Sequence, residues 1–197
     1  MSHVRLADNQ ADLHSTRVGT GSANLVIGCD LIVTASRDAV SRMGEGRTYA
    51  AINSTGSSTA AFVKNPDWQF PAESSKNQII QACGAEKVDF VDAGQMATAL
   101  MGDSIATNMF MLGYAWQKGQ VPLSEASILK AIELNGVQVG FNKSAFNWGR
   151  TAAHDVAATR MKFELEPQDV LADLEEVTLE AELKCFETAV TTIETDL

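Results

Sequence analysis

The stretch from Gly102 to Arg150 reads GDSIATNMFMLGYAWQKGQVPLSEASILKAIELNGVQVGFNKSAFNWGR. Glycine and proline interrupt its apolar pattern at the places where helices commonly end. The spacing predicts three consecutive helices: one that begins at the N-cap residue Asp103 and continues to Gln117, one over Glu125–Asn135, and one from about Phe141 to His154. The second half of the chain is therefore predicted to be rich in helix.

Asn108 falls within an apolar stripe of the first predicted helix. Met101, Ile105, Leu112 and Trp116 recur at helical spacing, and Asn108 lies among them. A buried amide costs free energy unless it is hydrogen-bonded. We therefore expect Asn108 to be buried and to meet a partner, which is either a structural group of the protein or a ligand.

The first hundred residues alternate between predicted strands and predicted helices. The expected strands are SHVRLA at 2–7, DLIVTAS at 30–36, RTYAAINS at 47–54 and KVDFVDA at 87–93. Helices are expected at 37–46 and at 74–83, and the segment NPDWQFP at 65–71 is expected to be irregular. This alternation is typical of an α/β sheet with helices on its faces.

The composition is that of a globular chain, with 45% hydrophobic and 20% charged residues. No apolar run approaches the roughly 18 residues that span a bilayer, and the N-terminus lacks the order of a secretory signal. We expect a cytoplasmic location and no membrane contact. Cys29, Cys83 and Cys185 are far apart and favour reduced thiols over a disulfide framework or a metal site.

The net charge of −10 belongs almost entirely to the C-terminal tail. Residues 161–197 contain eleven acids and two lysines, which leaves 14 acids and 13 basic residues for 1–160. No basic patch predicts a nucleic-acid partner. The tail also carries apolar residues at 4-3-4-3 spacing and is predicted to be a separate acidic amphipathic helix that packs on a partner or on the domain: Leu179, Leu183, Phe186, Val190 and Ile193.

None of the short motifs amounts to a catalytic apparatus. GTGSAN at 19–24 looks like a dinucleotide loop, but no apolar strand precedes it and Asn24 replaces the third glycine. The three histidines are scattered and are expected to be solvated or to cap helices, and no serine lies in a nucleophile elbow. The methionines between 96 and 111 are expected to fill the core. Any chemistry would be shared with another chain.

Several segments resemble one enzyme family. SHVRLAD, GCDLIVTAS, NPDWQFP, VDFVDA and above all GDSIATNMFMLGYAWQKG are similar to the gamma-type domain of 2-oxoacid:ferredoxin oxidoreductases. The closest likeness is to the large fused indolepyruvate ferredoxin oxidoreductases of bacteria. It implies a Rossmann-like three-layer domain over residues 1–160, followed by the acidic helical extension at 161–197. In that family a glycine-rich strand–helix segment and a further strand precede the position of Met1, so the resemblance implies a sheet that is incomplete at the N-terminus.

The resemblance also implies an activity, the oxidative decarboxylation of aryl-pyruvates such as indolepyruvate. In such enzymes thiamine diphosphate attacks the 2-oxo carbon, iron–sulfur clusters pass electrons to ferredoxin, and coenzyme A takes the acyl group. This chain is expected to bind none of these cofactors alone and to support thiamine-binding and iron–sulfur domains or subunits in an oligomer. The alternative is a free-standing binding or scaffold domain without catalytic activity.

Three residues are candidates for a cofactor-binding role at the site between domains: Asp103, Ser104 and Asn108. A helix N-terminus with a capping acid and a nearby amide forms an organised polar site. The alternative is a capped helix whose core amide is satisfied within the protein. No residue of the chain is assigned a catalytic role by the resemblance.

Overall fold

Three parallel strands form the sheet in the computed structural model, which describes residues 1–55 and 72–165. These strands are β1 (Leu25–Gly28), β2 (Tyr49–Asn53) and β3 (Val88–Val91). Their order is β1-β2-β3, and Ala51 of β2 is in register with Ile27 on one side and with Asp89 on the other.

Helices separate and follow the strands. In the described ranges the α-helices are α1 (Leu31–Thr34), α2 (Arg37–Val40), α3 (Ala72–Cys83), α4 (Ala93–Met101), α5 (Thr107–Gln117), α6 (Glu125–Asn135), α7 (Val139–His154) and α8 (Val156–Leu165). Short 3₁₀ turns occur at Gln10–Asp12, Ala85–Lys87 and Ser104–Ala106. Among these helices none has both the length and the apolarity needed to cross a membrane.

The helices cover both faces of the sheet, as the alternation along β2 requires. Ala50 and Ile52 belong to a core shared with α1 and α3, whereas Ala51 belongs to a second core shared with α4 and α5. Successive side chains of a strand point to opposite faces, so a strand buried on both sides separates two layers of helix. The predicted α/β fold with three layers is confirmed.

Helices α5 and α7 approach each other so closely that two glycines are required. A Cβ at Gly113 of α5 would lie 2.0 Å from the carbonyl oxygen of Phe146, and a Cβ at Gly149 of α7 would lie 1.9 Å from that of Phe110. Both phenylalanines are fully buried. The C-terminal region that was predicted to be helical therefore contains a pair of helices, α5 and α7, whose backbones are in direct contact.

Two predicted strands are wrong. Residues 2–7 lie outside the sheet with Val4 and Leu6 exposed, because their alternation has no neighbouring strand to pair with. The LIVT run of 31–34 forms α1 rather than a strand. The Asp30 carboxylate accepts a hydrogen bond from the Val33 N–H at 2.9 Å, and this N-cap outweighs the strand preference of the β-branched residues.

The prediction that Asn108 is buried is also wrong, because Asn108 is exposed. Gly102 ends α4 in a left-handed conformation, and a 3₁₀ turn then separates α4 from α5. Because of this break, the helical spacing that connects Met101 to Asn108 does not identify the side of α5 that is buried. Ile105, which shares that spacing, is also exposed. The buried residues of α5 are instead Thr107, Phe110, Met111, Gly113, Tyr114 and Ala115.

Other predicted elements agree with the structure. Both remaining strands form β2 and β3, the helix at 37–46 begins as α2, and the helix at 74–83 is α3. Ser124 caps α6 through its hydroxyl, and Gly136 ends it in a left-handed conformation. Met96 and Met111 are buried in the core, as expected.

Some predictions about the chain fall elsewhere. The segment 65–71 and the tail helix after residue 165 lie outside the described residues. Helix α8 continues across the expected domain boundary at residue 160. The division into 1–160 and 161–197 stays a prediction.

Candidate functional site at the carboxyl ends of the strands

A cleft of about 640 Å³ lies at the carboxyl ends of the parallel strands. In open α/β sheets this edge is where ligands commonly bind. The described residues that line the cleft carry hydroxyl, amide, thiol and carboxylate groups, together with small residues: Cys29, Asp30, Asn53, Thr55, Gly94, Gln95, Thr98, Ala99, Ser104, Thr107 and Asn108. The cleft thus presents several polar groups within walls that are mostly apolar, and these walls come from the three strand ends, from α4 and from the start of α5.

The buried side chain of Asn53 joins the three strand ends. Its Nδ2 donates to the carbonyl oxygen of Cys29 at 3.0 Å, just beyond β1. Its Oδ1 accepts from the N–H of Thr55 and from the N–H of Gly94, each at 3.1 Å. Because the amide is hydrogen-bonded at both ends, it can be buried. It holds the loops after β1 and β2 against the start of α4.

Thr55, which lines the cleft, forms a second connection with Asp92. The Thr55 hydroxyl donates to Asp92 Oδ1 at 2.5 Å and accepts from the N–H groups of Gly94 and Gln95 at 2.9 and 3.3 Å. Two of the free N–H groups that begin α4 are thereby satisfied. The guanidinium of Arg160, on α8, lies 3.9 Å from the other oxygen of Asp92.

Cys29 is the one described thiol that lines the cleft. Burial raises the pKa of the Cys29 thiol, so the group is protonated at neutral pH and is a weak nucleophile. The other described cysteine, Cys83, is the last residue of α3 and is fully buried in the core, where burial raises its pKa to about 11. The described thiols therefore contribute packing and polarity rather than an activated nucleophile.

The structure brings Ser104 and Asn108 together in the cleft wall. Asp103 is not among the lining residues. Its carboxylate accepts a hydrogen bond from the Ile105 N–H at 2.9 Å and caps the 3₁₀ turn that leads into α5. Asp103 is thus a cap, as predicted, but α5 itself begins one turn later, at Thr107. Any role of these three residues toward a cofactor stays a proposal.

Sequence reasoning missed the residues that organise the cleft: Asn53, Thr55, Asp92 and Gly94. The available signal is their position, because INST and VDAG each span the end of a short apolar strand. Polar residues directly after parallel strands converge at one edge of a sheet. The chemical types of these residues alone carried no such signal.

A separate polar cluster lies toward the amino ends of β2 and β3. The hydroxyls of Tyr49 and Tyr114 both donate to Asp89 Oδ2, the second at 2.9 Å. Lys118 Nζ lies 3.6 Å from the same oxygen and stacks over the Tyr114 ring. Burial, and then the bond to Asp89, raise the pKa of both tyrosines well above its usual value. This cluster ties β2 and β3 to α5.

The model of the pyruvate ferredoxin/flavodoxin oxidoreductase family matches residues 1–152. The chain belongs to this family. It is therefore part of a 2-oxoacid oxidoreductase, an enzyme type built from several domains or subunits that uses thiamine diphosphate and iron–sulfur clusters. No curated protein and no solved structure matches the chain.

The described residues do not fit either of those groups. No cluster of three or more His, Cys, Asp or Glu side chains in residues 1–55 and 72–165 is arranged to hold a metal. A diphosphate needs cationic or N–H donors, yet the described lining of the cleft contains no lysine or arginine. The Val33 N–H of α1 already donates to Asp30, and the Gly94 and Gln95 N–H groups of α4 already donate to Thr55.

Proposed function

We propose that this chain is the gamma-type supporting domain of a 2-oxoacid:ferredoxin oxidoreductase that acts on aryl-pyruvates such as indolepyruvate. The family match over residues 1–152 carries the proposal. A cleft that carries several polar groups, but no activated nucleophile in its described lining, supports a role beside the reaction centre rather than within it. Thiamine diphosphate, the iron–sulfur clusters and coenzyme A would be held mainly by other domains or subunits.

The contribution of the cleft would be to orient a neutral polar part of a ligand held between domains. Ser104 and Asn108 present a hydroxyl and an amide at the cleft wall. Asn108 makes no side-chain hydrogen bond to another described residue, and its exposure leaves both ends of the amide accessible. Asp103 would act indirectly, by fixing the turn that carries Ser104.

Turnover by the complete enzyme tests the proposal. The full coding region should be expressed with its neighbouring genes, and reduction of ferredoxin should be followed with indolepyruvate and with pyruvate. We expect kcat/KM to favour indolepyruvate. A preference for pyruvate would overturn the substrate assignment, and recovery of the chain alone without a redox partner would favour the free-standing scaffold.

The cleft is tested in the same enzyme with Asn108→Ala. We expect a fall in kcat/KM of about tenfold, because losing one well-placed hydrogen bond to a ligand costs roughly 1–1.5 kcal/mol. Asn135→Ala is the matched control, since Asn135 is exposed at the end of α6 and does not line the cleft. Equal kinetics for the two variants would remove Asn108 from the site.

A further inference from the structure

Three threonine hydroxyls line the described part of the cleft, and each has its single proton committed within the protein. Thr98 Oγ1 donates to the carbonyl oxygen of Gly94 at 2.8 Å, and Thr107 Oγ1 donates to that of Ser104 at 2.6 Å. The direction of both bonds is fixed, because a carbonyl oxygen can only accept. Thr55 donates to a carboxylate oxygen. None of the three hydroxyls can therefore donate a hydrogen bond to a ligand.

Two of these hydroxyl oxygens remain able to accept. A hydroxyl oxygen has two lone pairs, and no described group donates a hydrogen bond to the Oγ1 of Thr98 or of Thr107. The Thr55 oxygen, in contrast, already accepts from the N–H groups of Gly94 and Gln95. The described lining also has no lysine or arginine to meet an anion. The cleft therefore suits a part of a ligand that carries no negative charge and that donates a hydrogen bond.

The rest of the described lining suits a flat apolar group. Gly94 and Ala99 place no long side chain in the cleft, and the walls are mostly apolar. The volume of about 640 Å³ lies within the roughly 300–1,000 Å³ of small-molecule sites. A planar ring can pack against such walls while an N–H group on its edge finds an acceptor.

We infer that the cleft holds the aryl end of the substrate and that Thr98 Oγ1 accepts a hydrogen bond from the ring N–H. The inference rests on the proposed function, because it takes the aryl-pyruvate substrate from there. The 2-oxoacid end is anionic and finds no cation in the described lining, so it projects through the open mouth of the cleft toward the neighbouring domain. Thr98 is thus a specificity-determining residue, and the reaction at the 2-oxo carbon takes place outside this chain.

An isosteric substrate without the N–H group tests this assignment. In benzothienylpyruvate a sulfur atom replaces the ring N–H of indolepyruvate, so the ring keeps its shape and loses its donor. The complete enzyme should show a kcat/KM about tenfold higher for indolepyruvate, because the analogue cannot make the hydrogen bond to the protein. Equal kcat/KM values for the two substrates would overturn the inference.

Thr98→Val removes the acceptor and keeps the size of the side chain. It should bring the ratio of the two kcat/KM values close to one, whereas Thr98→Ser should keep the ratio of the wild type. Thr151→Val is the matched control, because Thr151 Oγ1 makes the same bond four residues back in α7, to the Asn147 carbonyl oxygen at 3.1 Å, and does not line the cleft. Both threonines are exposed, so neither change should disturb the fold. A ratio that Thr98→Val leaves unchanged, or that Thr151→Val lowers equally, would remove Thr98 from this role.

Binding of the free rings separates this inference from the proposed function. Indole and benzothiophene are compared by equilibrium dialysis against the complete enzyme, which requires no turnover. If the ratio of bound indole to bound benzothiophene falls in Thr98→Val but not in Thr151→Val, the cleft assignment holds even in an enzyme without 2-oxoacid activity, and the proposed function alone fails. Turnover of indolepyruvate without discrimination between the two substrates overturns the cleft assignment and leaves the function intact. An inactive enzyme whose binding ratio does not respond to Thr98→Val overturns both.

Discussion

The crossing of α5 and α7 and the cleft at the strand ends are held together by opposite means. At the crossing, Gly113 and Gly149 let two backbones touch between the fully buried side chains of Phe110 and Phe146. At the cleft, the hydrogen bonds of Asn53 hold three loops around open space. The crossing is determined by shape, whereas the cleft is determined by polar partners.

This difference implies different responses to substitution. A close-packed apolar contact gains little from any one atom but cannot admit an extra one without moving the backbone. A polar hub tolerates additional space but not the loss of a donor or acceptor, because its partners are then buried unsatisfied. The crossing should therefore be sensitive to added volume, and the cleft to removed polarity.

The largest effect is expected for Gly149→Ala. Its Cβ would lie 1.9 Å from the carbonyl oxygen of Phe110 and 2.9 Å from the Tyr114 nitrogen, so the helices must separate. We expect a loss of at least about 3 kcal/mol in the free energy of unfolding, measured by urea denaturation with tryptophan fluorescence. Gly140→Ala, in the same helix with no atom within 4 Å of the new Cβ, should instead stabilise by roughly 0.5–1 kcal/mol. Similar results for both would contradict the packing argument.

Asn53→Ala should have the next largest effect. The change removes the partners of the Cys29 carbonyl and the Thr55 N–H, and the expected loss is roughly 2–3 kcal/mol in the same assay. Asn108→Ala deletes the same group from an exposed position of the same cleft and should stay within about 0.5 kcal/mol of the wild type. If Asn108→Ala costs as much as Asn53→Ala, the division between hub and ligand-facing residues fails.

Helix α5 of the apolar crossing also carries one buried polar group, the Tyr114 hydroxyl, which bonds to Asp89. Its contribution to stability should be lost at high pH. Burial raises the pKa of Tyr114 of α5 in the folded state, whereas the unfolded value is about 10. Above that pH the unfolded chain loses a proton that the native state keeps, so stability is full below about pH 10 and falls as pH rises further. Urea unfolding at several alkaline pH values checks this.

The matched variant for that experiment is Tyr114→Phe. At neutral pH it should cost about 1.5 kcal/mol, because the bond to the Asp89 carboxylate is lost, and it should show a shallower alkaline decline. Tyr49 keeps its own bond to Asp89 and accounts for the remaining decline. Native-state tyrosinate absorbance that develops at the ordinary pKa would contradict the prediction.

The fold was predictable where local signals and tertiary packing agree. Ser124 and Gly136 mark the ends of α6 in the sequence, and the structure uses both. The run at 31–34 shows the limit, because its β-branched residues favour a strand while the Asp30 cap favours a helix. Asn108 shows another limit, since a 3₁₀ turn changes the phase of an apolar pattern that looks continuous.

The site was less predictable because its organising contacts are distant in sequence. Asn53 bonds to residues 24 and 41 positions away, so no local spacing reveals the hub. Ser104 and Asn108 were candidates because of the helix N-terminus and an expected burial, and they line the cleft although the burial was wrong. A helix start is visible in sequence, whereas the loops that meet it depend on strand order.

The smallest effect on stability is expected at Asp103. This residue caps the turn before α5 and also places a charge beside the cleft, so it links the two regions. Asp103→Ala should lower the free energy of unfolding by about 1 kcal/mol, whereas Asp103→Asn should be neutral because the amide oxygen still accepts from the Ile105 N–H. Thermal and urea unfolding of the two variants measure the cap alone. If Asp103→Asn leaves stability unchanged but weakens assembly of the complete enzyme at low salt, the charge acts on a partner. If it changes neither, Asp103 serves the helix only.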